Sequence, residues 1–292
     1  MVDPCGLTGP FKEKISGLAD VVVSYDDYPG SQTEIVNRIG DADGVLVSWN
    51  TRINGDVLNS CPSVKYIGMC CSLYDEKSAN VDIATAKKLG IKVAGVRDYG
   101  DEGTVEFIFA QIISLLKGLG PDQWHREPTE LTGKSLGIIG MGTLGKMVSD
   151  TALHFGMKVF YHSRTRKEDV EKNGITYLPL NELVQQCDII TTHLPRNTVV
   201  LKEEEFKTMK KDAILINTSL GQPFDMPSFL HWIDLKQGNY AIFDAAGYGE
   251  FRNEFEKHPN IILTHKSSGF TIEAKYRLTR KVYENIIHYL NS

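Results

Sequence analysis

Long apolar runs are missing from this chain. No stretch approaches the roughly 18 residues that a membrane-spanning helix needs, and no signal-peptide pattern is read at Met1. Basic charge is short as well. The 32 Lys and Arg stand against 37 Asp and Glu, for a net charge of -5. With no basic stripe, a nucleic-acid partner is not expected. Cysteine is sparse: Cys5, Cys61, Cys70, Cys71 and Cys187 are odd in number and show no C-x-x-C spacing. That excludes a disulfide framework and speaks against structural zinc. The expectation is a soluble cytoplasmic protein with no metal, no membrane and no nucleic acid.

What is present suggests an α/β fold. A length of 292 residues suggests two domains, and 41% hydrophobic residues can fill two cores. Short β-branched runs at 21–24, 44–48, 64–69 and 91–94 read as strands. Runs at 33–39, 54–59 and 81–89 read as helices between them. Such alternation means a parallel sheet. A strong helix spans 104–119, with Val105, Ile108, Phe109, Ile112, Ile113, Leu115 and Leu116 on one broad face. Further on, strands are read at 158–161, 188–193, 213–218, 240–244 and 261–264. Helices are read at 180–186, 203–209, 227–235 and 271–290.

The stretch Leu136-Gly-Ile-Ile-Gly-Met-Gly-Thr-Leu-Gly145 organises the second half. A buried-strand run leads into Gly140, Gly142 and Gly145 at G-x-G-x-x-G spacing, and a helix-compatible run follows. Gly140 permits the tight turn, Gly142 lets a pyrophosphate approach, and Gly145 lets the helix pack on the sheet. The helix N-terminus offers free N–H groups to an anion. A dinucleotide is the expected ligand. The ribose-reading place after the next strand holds His162-Ser163-Arg164-Thr165-Arg166 and no carboxylate. Ser163, Arg164 and Arg166 suit a 2′-phosphate, so NADP is expected over NAD, with NAD possible.

Several segments together resemble the D-2-hydroxyacid dehydrogenase family, in its glyoxylate and hydroxypyruvate reductase branch. They are 131–145, Phe160-Tyr-His-Ser-Arg-Thr-Arg-Lys167, Thr192-His-Leu-Pro195, 209–219, His258-Pro-Asn-Ile-Ile-Leu-Thr264, Asn80-Val-Asp82 and Val105-Glu-Phe107. The resemblance implies two Rossmann-like or flavodoxin-like parallel-sheet domains with a cleft between them. The substrate domain would be 1–103, completed by the C-terminal helix at 273–292. The dinucleotide domain would be 104–272. It further implies a homodimer, a small-molecule substrate and hydride transfer at a carbonyl. Thr143 and Leu144 would line the pyrophosphate. Leu194, Pro195, Thr218 and Ser219 would flank the nucleoside, and Asp244 would face the nicotinamide carboxamide.

The family's catalytic Arg, Glu and His positions are all substituted. Leu220 stands where the resemblance places the Arg in Asn217-Thr-Ser-Leu-Gly221. Lys266 takes the His position, with His265 one residue early. Counting five past Asp244 gives Gly249, with Glu250 one further. The glycine loop that would cradle a carboxylate is replaced by residues 69–82, so Cys71, Ser72 and Tyr74 are expected to meet substrate, with Leu220. Lys266 is the candidate proton donor, with His265 and Glu250 in reserve. Three readings follow. One is an NADPH-dependent reductase of a carbonyl or imine other than a standard 2-oxo acid. The others are a 2-hydroxyacid dehydrogenase with atypical residues and a non-catalytic NADP-binding protein.

Overall fold

The computed structural model describes residues 1–196, 198–235 and 238–292. The chain forms two compact units, Met1–Gly100 with Thr271–Ser292, and Asp101–Phe270. Both are α/β with parallel sheets.

In unit 1, strands β1 (Gly44–Val47), β2 (Tyr66–Ser72) and β3 (Lys92–Val96) form a parallel sheet in the order β1-β2-β3. Helices α1 (Pro10–Ser16) and α2 (Gln32–Ile39) precede β1, α3 (Gly55–Ser60) and α4 (Ile83–Lys88) connect the strands, and the C-terminal helix Ile272–Leu290 packs on β2 and α1. Side-chain oxygens start most of these helices. Ser31, Asn54, Asp82 and Thr271 accept from the N–H groups of Glu34, Val57, Thr85 and Ala274 at 3.0–3.1 Å.

The strand expected at 21–24 does not form. Val21 is 79% exposed and the segment joins no sheet. Its neighbour is the short run at Met1, whose amine donates to the Val23 carbonyl at 2.7 Å. Val2 in turn donates to Leu46. Pro4 then interrupts that run, because it has no N–H to extend a ladder. β-Branched composition alone does not make a strand without a pairing partner.

Unit 2 begins with α5 (Asp101–Lys117), three residues earlier than expected. It continues through β4 (Ser135–Ile139), α6 (Thr143–His154), β5 (Lys158–His162), α7 (Glu168–Glu171), β6 (Thr176–Tyr177) and α8 (Leu180–Gln186). Then come β7 (Ile189–Thr192), α9 (Glu203–Thr208), β8 (Ile214–Asn217) and α10 (Met226–Leu235). The unit closes with β9 (Tyr240–Phe243), α11 (Ala245–Tyr248), α12 (Arg252–Phe255) and β10 (Ile261–Leu263). The sheet order is β10-β9-β8-β7-β4-β5-β6, all parallel. β4 therefore lies where the winding reverses, and ligands of such sheets bind at the strand C-termini beside that point. The strands alternate between two cores. Leu136, Ile138, Ile214, Ile216 and Ile242 face α5 and α6, while Leu215, Ala241 and Phe243 join Leu183 and Phe229 on the other face.

Candidate functional site

The glycine turn leaves β4 with Gly140 at φ +104° and its N–H donating to the His162 carbonyl at 2.9 Å. A Cβ on Gly140 would lie 2.2 Å from the His193 carbonyl oxygen, and one on Gly145 would lie 2.3 Å from that of Gly140. No side chain fits either place. A Cβ on Gly142 would meet nothing within 4 Å, so the space beside it is open. α6 starts there without a side-chain cap. Its first N–H groups and positive end face an exposed surface at Gly142 and Thr143, with Leu144 half-buried.

The ends of β7, β8 and β9 are tied together by Asn217, a fully buried polar residue at the end of an apolar strand. Its Oδ1 accepts from Thr192 Oγ1 at 2.9 Å and from the Ser219 N–H at 3.0 Å. Its Nδ2 donates to the carbonyls of Gly221 at 2.9 Å and Gly247 at 3.2 Å. Ser219 Oγ donates to the Thr192 carbonyl and accepts from the Leu194 N–H, both at 3.0 Å. The expected residues Leu194, Pro195, Thr218 and Ser219 thus lie on loops braced by one side chain. Asn217 had no role in the sequence reading. The available signal was an amide in the run Ile-Leu-Ile-Asn, since a buried polar group must find partners.

Two polar atoms among these loops have none. His193 Nδ1 and Thr218 Oγ1 are buried and unpartnered. Burial pushes the His193 imidazole down to about 3, so the ring is neutral at ordinary pH. A buried polar atom without a partner needs an explanation, and a bound ligand is one. With the open space at Gly142 and the uncapped helix, they fit a bound dinucleotide.

Asp244, at the end of β9, is 1% exposed. Its Oδ1 accepts from the Gly247 N–H, and its Oδ2 accepts from Ser268 N–H and Oγ, each at 2.7 Å. Burial raises its carboxyl above the usual range while those hydrogen bonds hold it down. Both oxygens are engaged inside the chain, so the structure gives Asp244 a bracing role beside the carboxamide contact the resemblance implies. Ser268 also shares a hydrogen bond with Thr104 on α5. This chain of three residues fixes the loop after β10, which carries His265 and Lys266. Both of those side chains are exposed, and the Lys266 carbonyl accepts from the Ala245 N–H at 3.2 Å. Glu250 is exposed in the 3-10 turn Gly249–Phe251 that follows α11. Leu220 is half-buried in the loop that Asn217 braces.

The basic turn after β5 differs from expectation. Ser163 Oγ donates to the Thr165 carbonyl at 2.6 Å. Arg166 forms a fork with Glu171, Nε to Oε1 at 2.8 Å and Nη2 to Oε2 at 2.6 Å, which lowers the Glu171 carboxyl. Glu171 is anchored in turn by the Tyr161 hydroxyl at 2.8 Å. Arg166 is therefore committed to the turn, and Arg164 remains exposed. Such an internal carboxylate is invisible to a reading that counts only from the glycines.

In unit 1, Cys71 is not available to substrate. It is 4% exposed in the hydrophobic core and its Sγ lies 3.4 Å from Asn80 Oδ1. β2 extends to Ser72, so the loop begins later than supposed. Ser72 shares a hydrogen bond with Tyr99. Tyr74 is 48% exposed beneath the guanidinium of Arg97, 5.3 Å from ring to cation. Arg97 also donates to the Leu73 and Tyr74 carbonyls at 2.7 and 2.9 Å, a clamp on this loop that the sequence did not announce.

A glycine turn at the switch point, an uncapped helix and braced strand ends define a dinucleotide-binding domain. Residues 109–267 match the D-isomer specific 2-hydroxyacid dehydrogenase, NAD binding domain. A glyoxylate reductase of Aeropyrum pernix is 31% identical, over 94% of this chain and 88% of its own. An acyclic imino acid reductase solved with NADPH and D-Arg superposes with a TM-score of 0.84 at 26% identity, covering 99% of this chain and 96% of that one. The fold is shared with D-lactate dehydrogenase of Aquifex aeolicus in complex with NAD and lactic acid, at TM-score 0.80 and 23% identity over 97% and 92% of the two chains. The chain belongs to the D-isomer specific 2-hydroxyacid dehydrogenase family and is an NAD(P)-dependent oxidoreductase. Among the described residues no helix is long and apolar enough to cross a membrane, and no cluster could hold a metal ion.

Proposed function

We propose that the protein is an NADPH-dependent reductase of a small carbonyl or imine compound that is not a standard 2-oxo acid. Unit 2 takes the cofactor. Unit 1, with its boundary near residue 103 and the C-terminal helix at 273–292 completing it, takes the substrate. The observation that carries the reading is Leu220, an apolar side chain where the resemblance implies an arginine. Each charged hydrogen bond lost to a carboxylate costs about 1.5–3 kcal/mol. The likeness to an imino acid reductase solved with NADPH adds support.

A bound nicotinamide dinucleotide supplies the hydride. The chain's part is to orient and protonate. Lys266, exposed on a loop that Asp244 and Ser268 hold rigid, is the proton donor or charge clamp, with His265 and Glu250 as alternates. His193 and Thr218 offer their free polar atoms to the nucleoside. Ser72 and Tyr74 meet the substrate. The protein acts as a homodimer, which light scattering would test.

The test is an absorbance screen of NADPH oxidation across aldehydes, ketones and imines, with glyoxylate and hydroxypyruvate included. Turnover of a neutral carbonyl or an imine above the two acids is expected. Turnover of none of them would sink the reading. The 31% identity to a glyoxylate reductase favours one alternative, a 2-hydroxyacid dehydrogenase with atypical residues. Glyoxylate activity that survives Leu220→Ala and is lost in Lys266→Ala would establish that one instead.

A further inference from the structure

We propose that Lys146 and Lys167 are the cations that select a 2′-phosphorylated nucleotide, and that Asp169 holds Lys146 in place until that phosphate replaces it. The proposal rests on the NADPH reading above and names which side chains carry it.

A pocket of about 380 Å³ opens beside the glycine turn, lined by Gly142, Thr143, Lys146, Asp150 and Lys167 among others. Lys146 follows Gly145 on the first turn of α6. Its ammonium pairs with Asp169 Oδ2 at 2.5 Å, which lowers the Asp169 carboxyl. Both partners are open to solvent, at 42% and 63% of their side chains. Exposed pairs of this sort are weak and readily exchanged.

Lys167 is placed by a different device. Its N–H donates to the Tyr161 hydroxyl at 2.6 Å, and Tyr161 is fully buried in β5. The same hydroxyl donates to Glu171, which grips Arg166. Arg166 is thus held at two points by a carboxylate only 19% exposed, a firmer pair than that of Lys146, and the same network sets Lys167 at the pocket. The Lys167 ammonium makes no ion pair among the described residues. Asp150 is the one carboxylate among the lining residues, beside two lysines. A phosphate dianion that displaced Asp169 would have both lysines of the lining as partners, while the N-terminus of α6 stays with the pyrophosphate.

Adenosine 2′,5′-bisphosphate and 5′-AMP are the probes, titrated by calorimetry into the full-length protein. Wild type should bind the bisphosphate at least about tenfold more tightly than the monophosphate. Lys146→Gln and Lys167→Gln should each weaken the bisphosphate about five- to tenfold and leave 5′-AMP within about twofold. Asp169→Asn should tighten the bisphosphate, because the competing carboxylate is gone. These are surface changes, and unaltered melting temperatures would establish that the variants fold. A preference that persists in both lysine variants but vanishes in Arg164→Gln overturns the assignment and leaves the NADPH reading standing. Absence of any preference in wild type overturns both.

Discussion

Replacing Asn217 with alanine should damage stability and cofactor binding together. The wild-type amide makes four hydrogen bonds from a fully buried position, to Thr192, Ser219, Gly221 and Gly247. The Thr192 hydroxyl has a fallback in the Ile216 carbonyl at 3.4 Å. The Gly247 carbonyl already receives a weak bond from Gln222 at 3.4 Å. The Ser219 N–H and the Gly221 carbonyl lose their partner at the end of β8. A buried group left unsatisfied costs about 1–3 kcal/mol. Ser219 and Gly221 are half-buried, so the two groups together cost an amount in the lower part of the doubled range, about 2–4 kcal/mol, in unit 2. Urea unfolding followed by tryptophan fluorescence would read it, since Trp124 and Trp232 report on that unit. NADPH fluorescence titration should show binding weakened more than about tenfold, because the loops bearing His193 and Thr218 lose their brace. Asn217→Asp should be no better, since it keeps the acceptor but discards both donors and buries a charge. A stability change under about 1 kcal/mol with NADPH affinity intact would refute the claim that one amide organises the site.

Gly145→Ala should push α6 off the turn, since its Cβ would sit 2.3 Å from the Gly140 carbonyl oxygen. A cost of about 1–3 kcal/mol is expected, and unchanged melting and NADPH affinity would contradict it. His193 gives a pH signature. Its imidazole, held near 3 by burial, stays neutral while the unfolded chain takes up a proton below about 6.5. Stability supplied by the neutral ring is present above pH 6.5 and is lost as pH falls toward 3, by about 1.4 kcal/mol per unit. In urea unfolding between pH 5 and 6, His193→Gln should lack that part of the slope, and parallel slopes would show the assignment wrong. All five cysteines are buried thiols, and burial pushes Cys187 up to about 12. The native protein should resist a thiol reagent that reacts with every cysteine in urea. Fast labelling of Cys70 or Cys71 without denaturant would reopen them to the surface.

The parallel sheets and the glycine turn were legible because their causes are local. Leu136 to Ile139 read as a buried strand, and the glycines follow at a spacing only close backbone contact explains. Residues 21–24 have strand composition and form no strand, because pairing depends on a partner that Pro4 cuts short. Cys71 lies inside β2 and not in the loop after it, a boundary that composition does not mark. The bonds that organise the site come from residues far apart in sequence. Asn217 reaches back to Thr192 and forward to Gly247, and Ser268 reaches Thr104. No periodicity announces such partners. Arg164 and Arg166 look alike in sequence, and only Glu171 and Tyr161 tell them apart.

Isothermal titration of the wild-type protein with NADPH and with NADH tests the nucleotide site most directly. One saturable site per chain is predicted, with NADPH the tighter ligand. No heat from either coenzyme at millimolar concentration would contradict the glycine turn, the uncapped helix and the two unpartnered side chains as parts of one dinucleotide site.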